Sequence, residues 1–217
     1  MATSRLLSVM LSLLPFFGPC SAPLVAQQQP ASVTQPYKIK ADWLGAFGGY
    51  VKWPDRAAPK ETFVVGVLGG NAFIERDQTG VVHDYLAELA TKTVGGKRIV
   101  VRQFKSMDEY EPCHVLFLSA IPAEGRQGEK VEERLNAALQ KLQELKTPHV
   151  LLVSDTKGMV WKGTAIDFYF NTNMNRVNML INRDAEKRAG LTISAQVLAL
   201  RVVQAVTDNE KRDLESN

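Results

Sequence analysis

The sequence CHVLFLS, residues Cys113–Ser119, predicts the central strand of this chain. Four apolar residues follow one another in its middle, and Pro112 and Pro122 bound it on its two sides. A short apolar run bounded in this way is typical of a strand buried on both faces. His149–Ser154, HVLLVS, nearly repeats the pattern, and Phe63–Leu68 is a third apolar run. Because helical segments separate these runs, the sequence predicts a mainly parallel sheet.

Segments of helical or alternating periodicity surround the three strands. Lys38–Val51 and Glu129–Leu145 carry apolar residues at helical spacing, which predicts two amphipathic helices. Ala165–Phe170 and Arg176–Asn182 alternate and are joined by a polar loop, which predicts an antiparallel hairpin with one half-solvated face. We therefore expect an α/β fold: a single three-layer domain with a central, mostly parallel sheet, a C-terminal antiparallel hairpin and helices on both faces.

Two further helices are expected. Phe73–Ala90 is predicted to be mostly helical, with an interruption near Gly80. A last helix is predicted to begin at Ser194, whose side chain would cap it, and its apolar stripe would end at Val206.

The N-terminal residues 1–26 have the pattern of a cleavable signal peptide. Arg5 supplies the positive start, Leu6–Phe17 is apolar but too short to span a bilayer as a mature helix, and Ala26 offers a cleavage point. Lipidation at Cys20 is the alternative, and the Phe-Gly-Pro sequence before this cysteine disfavours it. We expect an exported protein.

The mature chain divides into three parts on composition. Residues 27–36 are rich in Gln and Pro and predict a disordered tether. Residues 37–207 form the α/β domain, and residues 208–217 form a charged tail. Cleavage after residue 26 leaves 25 basic and 23 acidic residues, a net charge of +2. That charge is too small to favour a nucleic-acid partner.

No catalytic motif is present, so the chemistry of the residues predicts no enzyme and no cofactor. Gly-x-Ser-x-Gly, His-Glu-x-x-His and Cys-x-x-Cys are all absent from the sequence. His114 and His149 begin two predicted parallel strands, and with Cys113 they would make a conceivable zinc site. The spacing matches no metal motif, which favours two border histidines and no metal. Cys113 is the single mature cysteine, either a core residue or one half of an intermolecular disulfide.

A polar rim is expected where the parallel strands end. In open α/β sheets, ligands bind outside the carboxyl ends of the strands. Those ends carry small polar residues in this chain: Asn71, Ser119, Ser154 and Asp155. We call these four residues the carboxyl-end rim, and they are the predicted binding residues for a possible small-molecule ligand.

Several stretches resemble the YfiR-like family of periplasmic regulatory proteins. The resemblance covers nearly all of the mature chain and is strongest in the last segment. The matching stretches are FGGYVKWP (Phe47–Pro54), VVGVLGGNAF (Val64–Phe73), KTVGGKRIVVR (Lys92–Arg102), CHVLFLS, HVLLVSDTKG (His149–Gly158) and RVNMLINRDAEKRAGLTISAQVLAL (Arg176–Leu200). The chain departs from the family pattern at three glycines of the first helix and at Asp167, where Asn is frequent.

The resemblance implies a non-enzymatic periplasmic protein that forms a homodimer. It would dock on the periplasmic part of an inner-membrane signalling protein, a YfiN-type diguanylate cyclase or a sensor kinase, and repress or modulate it. Disulfide-based redox control is not implied, because the mature chain has one cysteine. The alternative function is that of a soluble periplasmic small-molecule-binding protein.

The predicted partner-binding residues are the aromatic residues at the end of the first helix. These are Trp43, Phe47, Tyr50 and Trp53. The exposed side of the hairpin and the last helix would extend this surface. For Trp53, packing as a lid on the core is the simpler interpretation.

Overall fold

The computed structural model describes residues 35–146 and 148–210. The predicted signal peptide, residues 27–34 of the predicted tether and residues 211–217 of the predicted tail lie outside the described residues. None of the helices in the two described ranges combines the length and apolar composition that a bilayer span requires.

The described part of the chain contains five α-helices, twelve strands and four short 3-10 helices. The helices are α1 (Pro36–Tyr50), α2 (Tyr85–Ala90), α3 (Val131–Glu144), α4 (Arg183–Arg188) and α5 (Ala195–Leu198). The strands are β1 (Val51–Lys52), β2 (Thr62–Leu68), β3 (Ile74–Arg76), β4 (Val82–Asp84), β5 (Thr93–Val94), β6 (Lys97–Phe104), β7 (Val115–Leu118), β8 (Leu151–Ser154), β9 (Ile166–Asn171), β10 (Arg176–Asn182), β11 (Thr192–Ile193) and β12 (Val203–Val206).

Eight of these strands form the central sheet, in the order β12-β10-β9-β8-β7-β2-β6-β5. The neighbours from β6 to β9 are parallel, β10 pairs antiparallel with β9, and β5 pairs antiparallel with β6. The edge strand β12 is parallel to β10. The predicted mostly parallel sheet with an antiparallel hairpin is therefore confirmed.

Alternate residues of the central strands point into two separate cores. In β7, Phe117 packs in the core beneath α1 and α2, whereas Leu116 packs in the core beneath α3. Phe47 of α1 and Leu135 of α3 are fully buried in the respective cores, and burying side chains of this size contributes about 1.5–3 kcal/mol each. The sheet thus lies between two helical layers, as predicted, and the described residues all belong to one compact unit.

Glycines bring α1 close to its neighbours. A Cβ atom on Gly45 would lie 2.7 Å from Cδ1 of Leu89, and one on Gly48 would lie 2.5 Å from Cγ1 of Val94. Both distances are shorter than real Cβ contacts, so a side chain at either glycine would require Leu89 or Val94 to move. Tertiary packing of this kind offsets the roughly 1 kcal/mol that each helical glycine costs relative to alanine.

The predicted helix over residues 73–90 is wrong in its first two thirds. Residues 74–84 form the β3–β4 hairpin, and only α2 is helical. The carboxylate of Asp77 accepts hydrogen bonds from the backbone N–H groups of Thr79 and Val81, and Gly80 has φ of 87°. This local turn chemistry prevails over the apolar spacing.

The predicted last helix is also shorter than expected. Ser194 does cap α5, but the helix ends at Leu198, and residues 203–206 form β12. Pairing with β10 leaves Val206 2% exposed, in a small core with Leu180. The hairpin face predicted to be half-solvated is accordingly buried at Leu180 and Asp167.

Candidate functional site

Three side chains of the carboxyl-end rim hold the turns that follow their own strands. Asn71, Ser119 and Ser154 each accept a hydrogen bond from the backbone N–H two residues further on, at 2.9, 3.1 and 2.9 Å. Asx and Ser turns of this type give short loops the hydrogen bonds that the strands no longer supply. The three residues lie at one edge of the sheet, and each has a structural partner there.

The fourth rim residue, Asp155, is covered by the first turn of α1. Tyr37 donates its hydroxyl to Oδ2 of Asp155 at 3.3 Å, and Nζ of Lys40 lies 3.9 Å from the same oxygen. Lys40 is 5% exposed, and the Asp155 side chain is fully buried. Burial raises the pKa of Asp155, and the Lys40 ammonium offsets part of that rise. The Lys40–Asp155 pair connects α1 to the carboxyl end of the sheet, where a ligand was predicted to bind.

A second buried carboxylate organises the loop between β8 and β9. Oδ2 of Asp167 accepts hydrogen bonds from the N–H groups of Gly158 and Val160, both at 2.9 Å, and Oδ1 accepts one from the Thr164 hydroxyl at 2.7 Å. Burial raises the pKa of Asp167 to about 7, although these hydrogen bonds favour the charged form. The alternation of residues 165–170 predicts Asp167 on the half-solvated face of the hairpin; an acid within an apolar strand was the available signal of a buried role.

The four predicted partner-binding aromatics divide into two pairs. Phe47 stacks on Phe168 in the core, and Trp53 is 4% exposed. Tyr50 is 39% exposed, and Trp43 is partly buried, with ring centroids 6.4 Å apart. At the surface, the end of α1 therefore presents only Trp43 and Tyr50 from this set.

The two histidines considered for zinc are both hydrogen-bonded to the protein. Nδ1 of His114 accepts from the N–H of Val64 at 3.0 Å. Nε2 of His149 lies 3.0 Å from Nε and 2.7 Å from Nη2 of Arg56, and its Nδ1 lies 2.8 Å from the carbonyl oxygen of Ala189. Burial raises the pKa of Cys113 to about 12, which keeps it a thiol at neutral pH. Within the described ranges, no group of three or more His, Cys, Asp or Glu residues is arranged to hold a metal.

Two solved structures are distantly similar to the chain. A conserved domain protein from Vibrio cholerae O1 biovar El Tor is 14% identical, with a TM-score of 0.46, over 79% of this chain and 60% of that chain. An ABC domain in complex with L-Trp from Streptococcus pneumonia is 12% identical, with a TM-score of 0.46, over 79% of this chain and 62% of that chain. The chain thus spans about three fifths of the length of either protein. No curated protein matches it.

A family model supplies the specific comparison. The model described as DUF4154, YfiR/HmsC-like, matches residues 37–201. That range begins in the first turn of α1 and ends just before β12, so it includes both helical layers and all but the last strand of the sheet. The chain therefore belongs to the YfiR/HmsC-like family.

Proposed function

We propose that this protein docks on the periplasmic part of an inner-membrane signalling protein, a YfiN-type diguanylate cyclase or a sensor kinase, and represses or modulates its output. The observation that carries this proposal is the family match over residues 37–201, nearly the whole folded domain. The signal-peptide pattern of residues 1–26 agrees with a site of action in the periplasm.

The docking surface that we propose consists of Trp43 and Tyr50. Trp43 lies at the middle of α1, Tyr50 is its last residue, and the neighbouring Gly49 is exposed. Large aromatic side chains with a polar atom are enriched among the residues that dominate binding energy. An aromatic pair next to a residue without a side chain offers a partner apolar area together with access to the backbone.

This surface stands on a rigid support. The carbonyl oxygen of Tyr50 accepts a hydrogen bond from the N–H of Ser194 at 2.8 Å, and β1 pairs with β11 directly after α1. Beneath the helix, Phe47 and Trp53 anchor it to the core. We therefore assign Phe47 and Trp53 a supporting role, since a fixed surface loses less entropy on binding.

The test is binding to the purified periplasmic domain of a YfiN-type diguanylate cyclase from the same organism. Trp43→Ala and Tyr50→Ala are each expected to weaken binding by about 2 kcal/mol, roughly thirtyfold, measured by biolayer interferometry. Leu145→Ala is the matched control, because Leu145 is an apolar residue of similar exposure, 47%, at the end of α3 in the opposite layer. Wild-type protein that does not bind this domain, or aromatic variants that bind as well as Leu145→Ala, would contradict the proposal.

The homodimer implied by the resemblance is proposed together with this function. Sedimentation equilibrium of the mature protein is expected to give twice the mass of one chain. A monomer at micromolar concentration would remove the dimer from the proposal without affecting docking.

A further inference from the structure

A cleft of about 410 Å³ opens at the amino ends of β7 and β8, at the end of the sheet opposite the carboxyl-end rim. It has the size of a small-molecule site, for which volumes of about 300–1,000 Å³ are usual. Its walls come from three separate parts of the chain: the turn after α1, the approach to β7 and the approach to β8. We call it the amino-end cleft.

The charged residues that line the amino-end cleft are basic. Arg56 and Lys146 contribute two cations, and none of the ten described lining residues is acidic. His114 and His149 add two imidazole rings. A cationic ligand would meet only like charge here, whereas an anion would meet two partners.

The contacts with His149 fix the orientation of the Arg56 guanidinium group. A guanidinium group can only donate, so Nε2 of His149 must be the acceptor for both Arg56 contacts, and its Nδ1 carries the proton donated to Ala189. Neither contact uses Nη1 of Arg56. A guanidinium fixed in this way gives up less entropy when it binds a carboxylate.

The remaining wall is largely apolar. Tyr110, Pro112 and Val150 line the cleft together with two alanines of the turn after α1. Inorganic phosphate would leave these surfaces unused, whereas an organic body would bury them. Apolar walls with a few convergent polar groups are characteristic of ligand sites.

We propose that the amino-end cleft binds a small organic acid whose carboxylate pairs with Arg56 and Lys146 and whose apolar body packs against Tyr110, Pro112 and Val150. This site differs from the predicted carboxyl-end rim in both place and chemistry. It does not depend on the docking function proposed above, because ligand binding is measured on the protein alone.

The probe is 3-phenylpropionate, titrated calorimetrically into the mature protein beside 3-phenylpropanol, 3-phenylpropylamine and inorganic phosphate. The acid is expected to bind at least tenfold more tightly than the alcohol, and the amine and phosphate still more weakly. Arg56→Gln and Lys146→Gln should each weaken binding of the acid by about tenfold. Arg98→Gln, which removes an exposed arginine of β6 outside the cleft, should leave it unchanged.

Four outcomes would overturn this inference. Equal affinity for the acid and the alcohol would show an apolar cleft that does not recognise charge. Phosphate affinity as high as that of the acid would show a site for inorganic anions. Binding that survives both Arg56→Gln and Lys146→Gln would place the acid elsewhere. Wild-type protein without saturable binding of the acid at millimolar concentration would exclude this ligand class. Circular dichroism of each variant controls for folding.

Discussion

At the carboxyl ends of β2, β7 and β8, the polar side chains of the rim bond to the protein, whereas the amino ends of β7 and β8 lie beside a cleft with two exposed cations, Arg56 and Lys146. Asp155 is fully buried beneath α1, while Arg56, at the other end, is exposed. Both ends carry charged residues next to strand termini. We expect a ligand to bind where charged side chains stay exposed beside a cleft, because buried polar groups already have their hydrogen bonds within the protein.

The largest effect on stability is expected in the loop between β8 and β9, at the carboxyl end of β8. Asp167→Ala removes an acceptor that serves three buried or partly buried donors, and it should lower the free energy of unfolding by about 3–5 kcal/mol, since each unpaired donor costs about 1–3 kcal/mol. Urea unfolding followed by tryptophan fluorescence measures this change. A loss below about 1 kcal/mol, the typical effect of a point mutation, would mean that the loop does not depend on this carboxylate.

Lys40→Met should cost about 2–3 kcal/mol at neutral pH, because it leaves the carboxylate of Asp155 buried without its cation. The loss should be smaller in acid, where Asp155 takes up a proton. The double variant Lys40→Met, Asp155→Asn is the matched control, and it should recover part of the lost stability. A double variant as unstable as the sum of the single changes would show that the two groups do not interact.

The pH dependence of stability should carry the signature of Asp167. Its native pKa of about 7 lies above the unfolded value of about 3.9, so the native state holds a proton that the unfolded state has lost. This contribution to stability is complete below about pH 4 and is lost as the pH rises through about 7. From about pH 6 to about pH 8, the wild type should lose about 1 kcal/mol more than Asp167→Asn, which cannot titrate.

Chemical denaturation of both proteins at several pH values makes this comparison. Asn can still accept the two backbone hydrogen bonds at Asp167 and donate to the Thr164 hydroxyl, so the variant should fold. Parallel pH profiles for the two proteins would place the titration on another group.

The smallest effect on stability is expected at the amino-end cleft. Arg56→Gln should change the free energy of unfolding by no more than about 0.5 kcal/mol, as surface substitutions usually do. Thermal unfolding monitored by circular dichroism measures this difference. A loss comparable with that of Lys40→Met would show that the Arg56–His149 contact closes the amino end structurally, and the contrast between the two ends would disappear.

The elements predicted well are those whose pattern is local. The strand predicted at the apolar run Phe63–Leu68 lies within β2, and Arg176–Asn182 coincides with β10. Apolar residues that alternate, or that follow one another without a break, indicate which positions are buried. The β3–β4 hairpin was missed because one aspartate and one glycine outweighed a helical spacing. Strand β12 was missed because its conformation depends on the neighbouring strand, as strand propensity generally does.

For the candidate site, too, local features could be predicted and contacts between distant segments could not. Its rim residues were predicted at the correct edge of the sheet, yet the residues that cover Asp155 are more than a hundred positions away in the chain. The contact of Arg56 with His149 joins residues 93 positions apart. No periodicity or motif relates such pairs, because they are neighbours only through the packing of α1 and its following turn on the sheet.

The layered α/β fold and the hairpin could be predicted from the sequence alone, because both rest on short-range patterns of apolar and polar residues, and the family could be predicted from the resemblance of several stretches. Which polar groups bond to the protein's own loops, and which stay exposed to solvent, became clear from the tertiary contacts. The physical reason is that burial and partner geometry, which set the cost of each charge, arise from contacts between distant segments.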